Sequence, residues 1–212
     1  MHGRFDLLTK IYNFVKPEDK LYFLGDAADR GPRGWECIKT LLADDRVIYL
    51  KGNHEDMLVK AMRSYIGGNY YSKALSLLES NGGGSTFNDW TNEKDLQIWL
   101  DLINKLPTHL EFFNKNNQKI YLSHAGYSVC GTVPSDYDLI WDREHFYTDS
   151  EEGLVVHGHT PVQIMRKEAE IPQEEKIFWY NDKKKVCIDC GAVWSGFTYL
   201  LDLNTFEEIK IT

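Results

Sequence analysis

Apolar positions along the chain set the first expectations. Phe5, Leu8, Tyr12 and Val15 recur at helical spacing, and Pro17 follows where that helix must stop. Leu21-Tyr-Phe-Leu24 is a short apolar run ending at Gly25, which reads as a buried strand. A second pair follows, with Trp35, Ile38, Leu41 and Leu42 on a helical face and Val47-Ile-Tyr-Leu50 as the next strand. Such alternation predicts a largely parallel sheet with helices against it. Residues 54–106 read as mostly helical, broken at the Gly82-Gly-Gly84 turn, with Leu96, Trp99, Leu100 and Ile103 as the clearest apolar stripe. This stretch is expected to form a helical cap. From Thr108 the texture changes to strands, expected over 110–113, 120–123, 155–157, 186–188, 197–203 and 207–211. Polar pairs at Asn116-Asn117, Asp182-Lys183 and Asn204-Thr205 supply hairpin turns. The expected class is α/β, with two packed mixed β-sheets flanked by helices. One domain over 1–212 is expected, because no repeat, low-complexity stretch or linker divides the chain.

Composition narrows the function classes. With 212 residues, 42% of them hydrophobic, the chain can bury one substantial core. A formal charge of −8 makes the molecule's field repel polyanions, so extended nucleic acid is disfavoured as a partner. A local basic pocket can still grip one phosphate. No apolar run approaches the roughly 20 residues of a membrane span, and the N-terminus lacks the pattern of a secretory signal. A soluble, cytoplasmic protein is expected. Cys37, Cys130, Cys187 and Cys190 are too few for a disulfide framework in a chain of this length. Cys187 and Cys190 form a lone CxxC inside an expected strand, where alternation puts them on opposite faces, and they read as packing residues rather than a zinc site.

Five short segments carry an unusual share of the Asp, Asn, His and Arg residues. They are His2-Gly3, Gly25-Asp-Ala-Ala-Asp-Arg-Gly31, Gly52-Asn-His-Glu55, His124-Ala-Gly126 and His157-Gly-His-Thr-Pro161. The last four each follow an apolar run, so they are expected at the carboxyl ends of strands, where open α/β sheets bind ligands. Carboxylate, amide and imidazole donors without thiolate suit divalent manganese, iron or zinc. Two such ions about 3.5–4 Å apart hold a bridging hydroxide and clamp the attacking and leaving oxygens of an in-line displacement. Asp26 is the natural bridging carboxylate, because the Gly25 turn after a buried strand fixes its direction.

Taken in order, these segments resemble the phosphoprotein-phosphatase branch of the calcineurin-like metallophosphoesterases, especially the bacteriophage lambda type and its bacterial relatives. The resemblance covers essentially the whole chain. It implies an α/β/β/α sandwich and a dinuclear-metal phosphomonoesterase acting on phosphoserine or phosphothreonine, with two divalent ions, manganese first and iron or zinc next. It places His2 and Asp26 in the first metal site and Asp26, Asn53, His124 and His159 in the second. It makes His54 the proton donor to the leaving group, oriented by Asp29, with Arg30, Asn53 and Arg143 on the phosphoryl oxygens. Guanidinium groups suit that task because they match phosphate oxygens bidentately. Arg143 lies in Ile140-Trp-Asp-Arg143, which is similar to a Trp-x-Arg element of the lambda type, although a surface ion-pairing role is the alternative in so charged a stretch. His157 reads as a support beside the ligand rather than a ligand, and His109 and His145 match no motif.

One departure stands at the start of the chain. The family motif is Asp-x-His-Gly behind a hydrophobic strand, whereas this sequence opens Met1-His2-Gly3. Either the start lies upstream or the first site lacks that carboxylate, and the intact downstream motifs favour the former. Competing functions are a symmetrical diadenosine-tetraphosphatase-like hydrolase and a non-catalytic phosphate-binding protein; a nuclease is disfavoured by the acidic charge. The expected partner is a phosphorylated protein or a small phosphoester.

Overall fold

The computed structural model describes residues 1–90, 95–127, 134–143 and 153–212. The chain forms two compact units, Met1–Pro107 and Thr108–Thr212.

The first unit opens with α1 (Phe5–Phe14), β1 (Leu21–Phe23), α2 (Gly34–Ala43) and β2 (Val47–Tyr49). β1 and β2 pair in parallel, Leu21 with Val47 and Phe23 with Tyr49, so their carboxyl ends emerge side by side. The buried face of α1 is Leu7, Leu8 and Ile11 rather than the expected stripe, because Phe5, Tyr12 and Val15 are only partly covered. Of the expected face of α2, Trp35, Ile38 and Leu41 are buried and Leu42 is only partly covered. Among the described residues the helical stretch holds four helices, α3 (Asn53–Ile66), α4 (Lys73–Ser80), α5 (Gly84–Trp90) and α6 (Leu96–Asn104). α3 buries Met57, Leu58, Ala61 and Met62 at helical spacing. Trp35 stacks on Trp90 at 5.2 Å and meets Trp99 edge-on at 5.5 Å, which ties α2, α5 and α6 together.

The second unit holds a five-stranded mixed sheet, ordered β3-β4-β5-β7-β6, from β3 (His109–Phe113), β4 (Lys119–Ser123), β5 (Leu154–His157), β6 (Phe178–Tyr180) and β7 (Lys185–Cys187). β4, β5 and β7 run parallel, and the outer strands β3 and β6 are antiparallel to their neighbours. β8 (Thr198–Leu201) and β9 (Glu208–Ile211) form a separate antiparallel pair. The expected α/β class with mixed sheets is what the chain adopts. The unit's described helices are α7 (Asp136–Trp141), α8 (Val162–Glu168) and the short α9 (Ala192–Ser195). Tyr121, Tyr127, Leu139, Ile140 and Val155 form one buried cluster.

The expected hairpin turns hold, each with side-chain or left-handed chemistry. Asn114 accepts the Asn116 and Gln118 amides through its Oδ1, and Asn117 takes φ +60°. Asn181, Asp182 and Lys183 all have positive φ between β6 and β7. The expectation of Cys187 and Cys190 on opposite faces of one strand is corrected, because β7 ends at Cys187. Beyond it the Asp189 carboxylate accepts the Gly191 amide at 2.9 Å and the Asp189 carbonyl accepts the Val162 amide, which turns the chain. Among the described residues no helix is long and apolar enough to cross a membrane.

Candidate active site

β1 and β2 deliver two loops next to each other. Gly25 follows β1 with φ +85°, and Asp26 continues left-handed at φ +59°. Left-handed backbone is unusual for a residue with a Cβ, though less so for Asp, Asn and His. Here it recurs at His2, Asp29, Arg30 and, in the second unit, His159. Strained conformations of this kind persist only where neighbouring contacts over-determine them. Residues 2 and 3 run alongside the loop, the His2 amide donating to the Asp26 carbonyl at 2.7 Å and the Gly3 amide to that of Ala27 at 2.8 Å.

Glu55 is the main tie. Its carboxylate is fully buried and accepts four backbone amides: Asp26 at 2.7 Å, Ala27 at 2.9 Å, Ala28 at 3.2 Å and Gly52 at 2.9 Å. One side chain thereby fixes the Asp26 loop to the first turn of α3, where a carboxylate also meets the positive end of the helix. Gly52 is needed for space, since a Cβ there would collide with the Asp26 carboxylate and lie 2.6 Å from the Asp26 amide.

α3 begins at Asn53 and His54, both buried. The His54 amide donates to Asp26 Oδ1 at 3.1 Å. His54 Nδ1 and Asp29 Oδ2 are 2.7 Å apart, both side chains fully buried, and His54 Nε2 has no hydrogen-bond partner among the described residues. With a carboxylate on Nδ1, that nitrogen carries a hydrogen and the ring presents Nε2. The His2 ring meets His54 edge-on at 4.6 Å. His2 Nδ1 donates to the Ala28 carbonyl at 3.0 Å, and its Nε2 accepts from the Arg30 guanidinium at 2.8 Å. Burial pushes the His2 imidazole well below its ordinary pKa, against the pull of Asp26, with the N-terminal ammonium, His54 and Arg30 adding to the drop. The shift favours the neutral imidazole, the form that ligates metal.

This donor set fits divalent metal. His2, Asp26 and His54 each offer a ligand atom within 4.8 Å of the others, and His2 Nε2 lies 3.4 Å from Asp26 Oδ2. Two ligand atoms about 2.0–2.1 Å from one ion stand roughly 3–3.4 Å apart. In the second unit His124 and His159 are buried and meet through His124 Nε2 and His159 Nδ1 at 3.2 Å, the same spacing. Two imidazoles held this close suit a shared cation.

Strand ends position these histidines. His124 follows β4, and its carbonyl accepts the Gly158 amide at 2.8 Å, joining it to the loop after β5. His157, the last residue of β5, is fully buried, with Nδ1 donating to the Gly158 carbonyl at 3.1 Å and Nε2 sharing a hydrogen with the Tyr180 hydroxyl at 2.7 Å. Its ring nitrogens are engaged in support of the loop. Cys187 lies beneath, its thiol donating to the Thr160 carbonyl at 3.3 Å, and burial raises its pKa well above the ordinary thiol value. Arg143 is exposed just beyond α7, with its amide on the Asp142 carboxylate. His145 and Cys130 lie outside the described residues.

Within the first unit the structure gathers His2, Asp26, Asp29, Arg30, Asn53 and His54, and within the second His124 and His159. The sequence reading had assigned no role to Glu55, and it had read the Gly82-Gly-Gly84 region only as a turn. The Arg30 amide donates to the Gly82 carbonyl at 2.8 Å, and the Asp29 amide to Thr86 Oγ1 at 2.9 Å. Glu55 carried a detectable signal, an acid three residues past a glycine at a helix start. Thr86 carried none.

A family model described as calcineurin-like phosphoesterase matches residues 1–194. The chain is 25% identical to the asymmetrical bis(5'-nucleosyl)-tetraphosphatase PrpE of Anoxybacillus flavithermus, over all of this chain and 91% of that one. It is 26% identical to serine/threonine-protein phosphatase 1 of Salmonella typhimurium, over 92% of this chain and 85% of that one. Among solved structures, a putative diadenosine tetraphosphatase superimposes with a TM-score of 0.63 at 15% identity, over 99% of this chain and 89% of its own.

Proposed function

Because the chain belongs to the calcineurin-like phosphoesterase family, and is a metal-dependent phosphoesterase, we propose that it removes phosphate from phosphoserine or phosphothreonine. The observation that carries the reading is the buried His54–Asp29 pair at 2.7 Å with Nε2 presented. In this reading Asp29 holds the ring, and Nε2 hands its proton to the departing oxygen. Arg30, Asn53 and Arg143 grip the phosphoryl oxygens. His2 and Asp26 would hold one divalent ion, and Asp26, Asn53, His124 and His159 would hold the other, with manganese the first choice. Metal bound there supplies Lewis acidity and an activated water. The neutral state of His2 and the ligand spacings support this set. A phosphate-binding role without turnover would not need a buried acid pair whose Nε2 is kept clear.

A second reading, hydrolysis of a dinucleoside tetraphosphate, draws on the similarity to the A. flavithermus protein, whose name specifies asymmetrical cleavage rather than the symmetrical kind first considered. The experiment assays a phosphothreonine peptide and diadenosine tetraphosphate side by side with added manganese, identifying the nucleotide products. Faster turnover of the peptide, abolished by a chelator, is expected. Faster turnover of the dinucleotide sinks the phosphoprotein assignment, and no turnover of either sinks both readings.

A further inference from the structure

We propose that Thr86, a residue of the helical insert, is a positioning residue for the proton donor, acting through Asp29. The inference rests on the reading of His54 as that donor. Asp29 and Arg30 are consecutive left-handed residues, at φ +67° and +61°, each carrying a Cβ that disfavours this conformation. Within the Ala27–Gly31 loop the Gly31 amide donates to the Asp29 carbonyl at 2.6 Å, a bond that spans Arg30 and leaves the Asp29 and Arg30 amides to be held from outside. Three hydrogen bonds from one segment of the insert hold it from outside: Thr86 Oγ1 accepts the Asp29 amide at 2.9 Å, the Gly82 carbonyl accepts the Arg30 amide at 2.8 Å, and Ser85 Oγ donates to the Gly31 carbonyl at 3.1 Å. Thr86 is fully buried, so its hydroxyl has no solvent-facing purpose.

Gly34 gives an independent sign that this contact is built in. It opens α2 without a positive φ, so backbone freedom does not explain it. A Cβ at Gly34 would instead collide with the Thr86 hydroxyl and stand 2.9 Å from the Asp29 amide. Glycine at this position keeps open the space through which Thr86 reaches Asp29. The helix presenting Thr86 is itself anchored, Phe87 packing on Tyr65 at 5.2 Å and Trp90 stacking on Trp35 at 5.2 Å.

The consequence runs through a single dihedral. If the Thr86 acceptor is lost, the Asp29 amide is buried without a partner, and the local gain comes from relaxing φ toward negative values. That rotation carries Oδ2 away from His54 Nδ1, and His54 loses the group that sets its tautomer and direction. Metal ligands are untouched, so the deficit appears only where the leaving oxygen needs a proton.

The test compares Thr86→Val, which removes the hydroxyl at nearly constant size, with Thr86→Ser, which keeps it. Both are assayed with manganese on phenyl phosphate and on 2,4-dinitrophenyl phosphate, whose leaving group departs without protonation, and His54→Asn runs in parallel. Thr86→Val is expected to lose about tenfold or more in kcat on phenyl phosphate, part of the roughly 10²–10⁴-fold worth of an acid catalyst. On the activated ester it should lose less than about threefold, with KM little changed and Thr86→Ser near wild type. Equal losses of Thr86→Val on both esters, or a Thr86→Ser as impaired as Thr86→Val, overturn the positioning role while a selective His54→Asn leaves the acid reading standing. A His54→Asn that is itself unselective overturns both. Should Thr86→Val not fold, Thr86→Ala takes its place against Thr86→Ser and must show the same selectivity.

Discussion

The loops of the two units that carry the candidate site residues are held by different means. In the second unit His124 and His157 leave parallel strands of a five-stranded sheet, and the loop that carries His159 is joined to His124 by one backbone bond. The ladder fixes them. In the first unit the sheet is two strands of three residues each, and the Asp26–Arg30 loop departs from it through five successive amide bonds to borrowed side chains and insert backbone. A sheet-borne site distributes its support over many peptide groups. A loop-borne site concentrates support in a few side chains, Glu55 and Thr86 above all, so single substitutions there should cost far more.

The largest expected effect is at Gly52. Gly52→Ala drives a Cβ into Asp26, whose amide is 2.6 Å away, and a shift of about 1 Å at a catalytic group can cost about 10²-fold in rate. Steady-state turnover of phenyl phosphate should fall by at least roughly that factor; near-normal turnover would mean the Asp26 loop is looser than its bonds suggest. Glu55→Gln comes next. An amide cannot accept four N–H groups, and leaving two buried donors unsatisfied costs roughly 2–4 kcal/mol, or about 5–15 °C in Tm for a chain of this size. Calorimetry of the variant checks this, and a change below about 2 °C would remove Glu55 as the tie.

The sheet-borne side supplies the smaller effects. Tyr180→Phe removes the hydroxyl bonded to His157, and because β5 and β7 still fix the loop, the loss should be about 1 kcal/mol with turnover retained. A loss as large as that of Glu55→Gln would erase the contrast between the two regions. Smallest is the thiol response. Burial pushes the Cys37 and Cys190 thiols up to about 12 and raises Cys187 well above its ordinary value, so at pH 8 almost none is thiolate. A disulfide reagent should leave Cys37, Cys187 and Cys190 unmodified in the folded chain at pH 8 and titrate all four cysteines in denaturant. Rapid reaction of two or more would show that these cysteines are not packed as described.

The same contrast explains what the sequence disclosed. Apolar runs announced β1, β2, β4 and β5, and the motifs at their ends followed from strand termination, because burial and turn chemistry are local signals. Helical spacing announced the insert but not its break at Gly67-Gly68, where two glycines end α3. β6 went unseen: Phe178–Tyr180 is a three-residue edge strand whose pairing with β7, not its own pattern, makes it a strand. The stripe on α1 was misphased because Phe5, Tyr12 and Val15 are apolar yet only partly covered, while the buried Leu7 and Ile11 fell outside it. At the site, residue types at strand ends marked the five polar segments and Asp26, and the family resemblance pointed within them to His2, Asp29, Asn53 and His54. What they could not bring out was the bond from Thr86 to Asp29, which spans 57 positions and depends on where α5 lies.

The account stands on His54 as the proton donor, and the most direct test is how rate depends on the leaving group. The measurement is kcat/KM for a series of aryl phosphates with manganese, from dinitrophenyl to phenyl, for the wild-type chain and His54→Asn. For the wild type a shallow dependence on leaving-group pKa is predicted, since a donated proton offsets poor leaving ability. The His54→Asn line should be steep, meeting the wild type at dinitrophenyl and falling roughly 10²–10⁴-fold below it at phenyl. Two parallel lines, displaced equally across the series, would contradict the assignment.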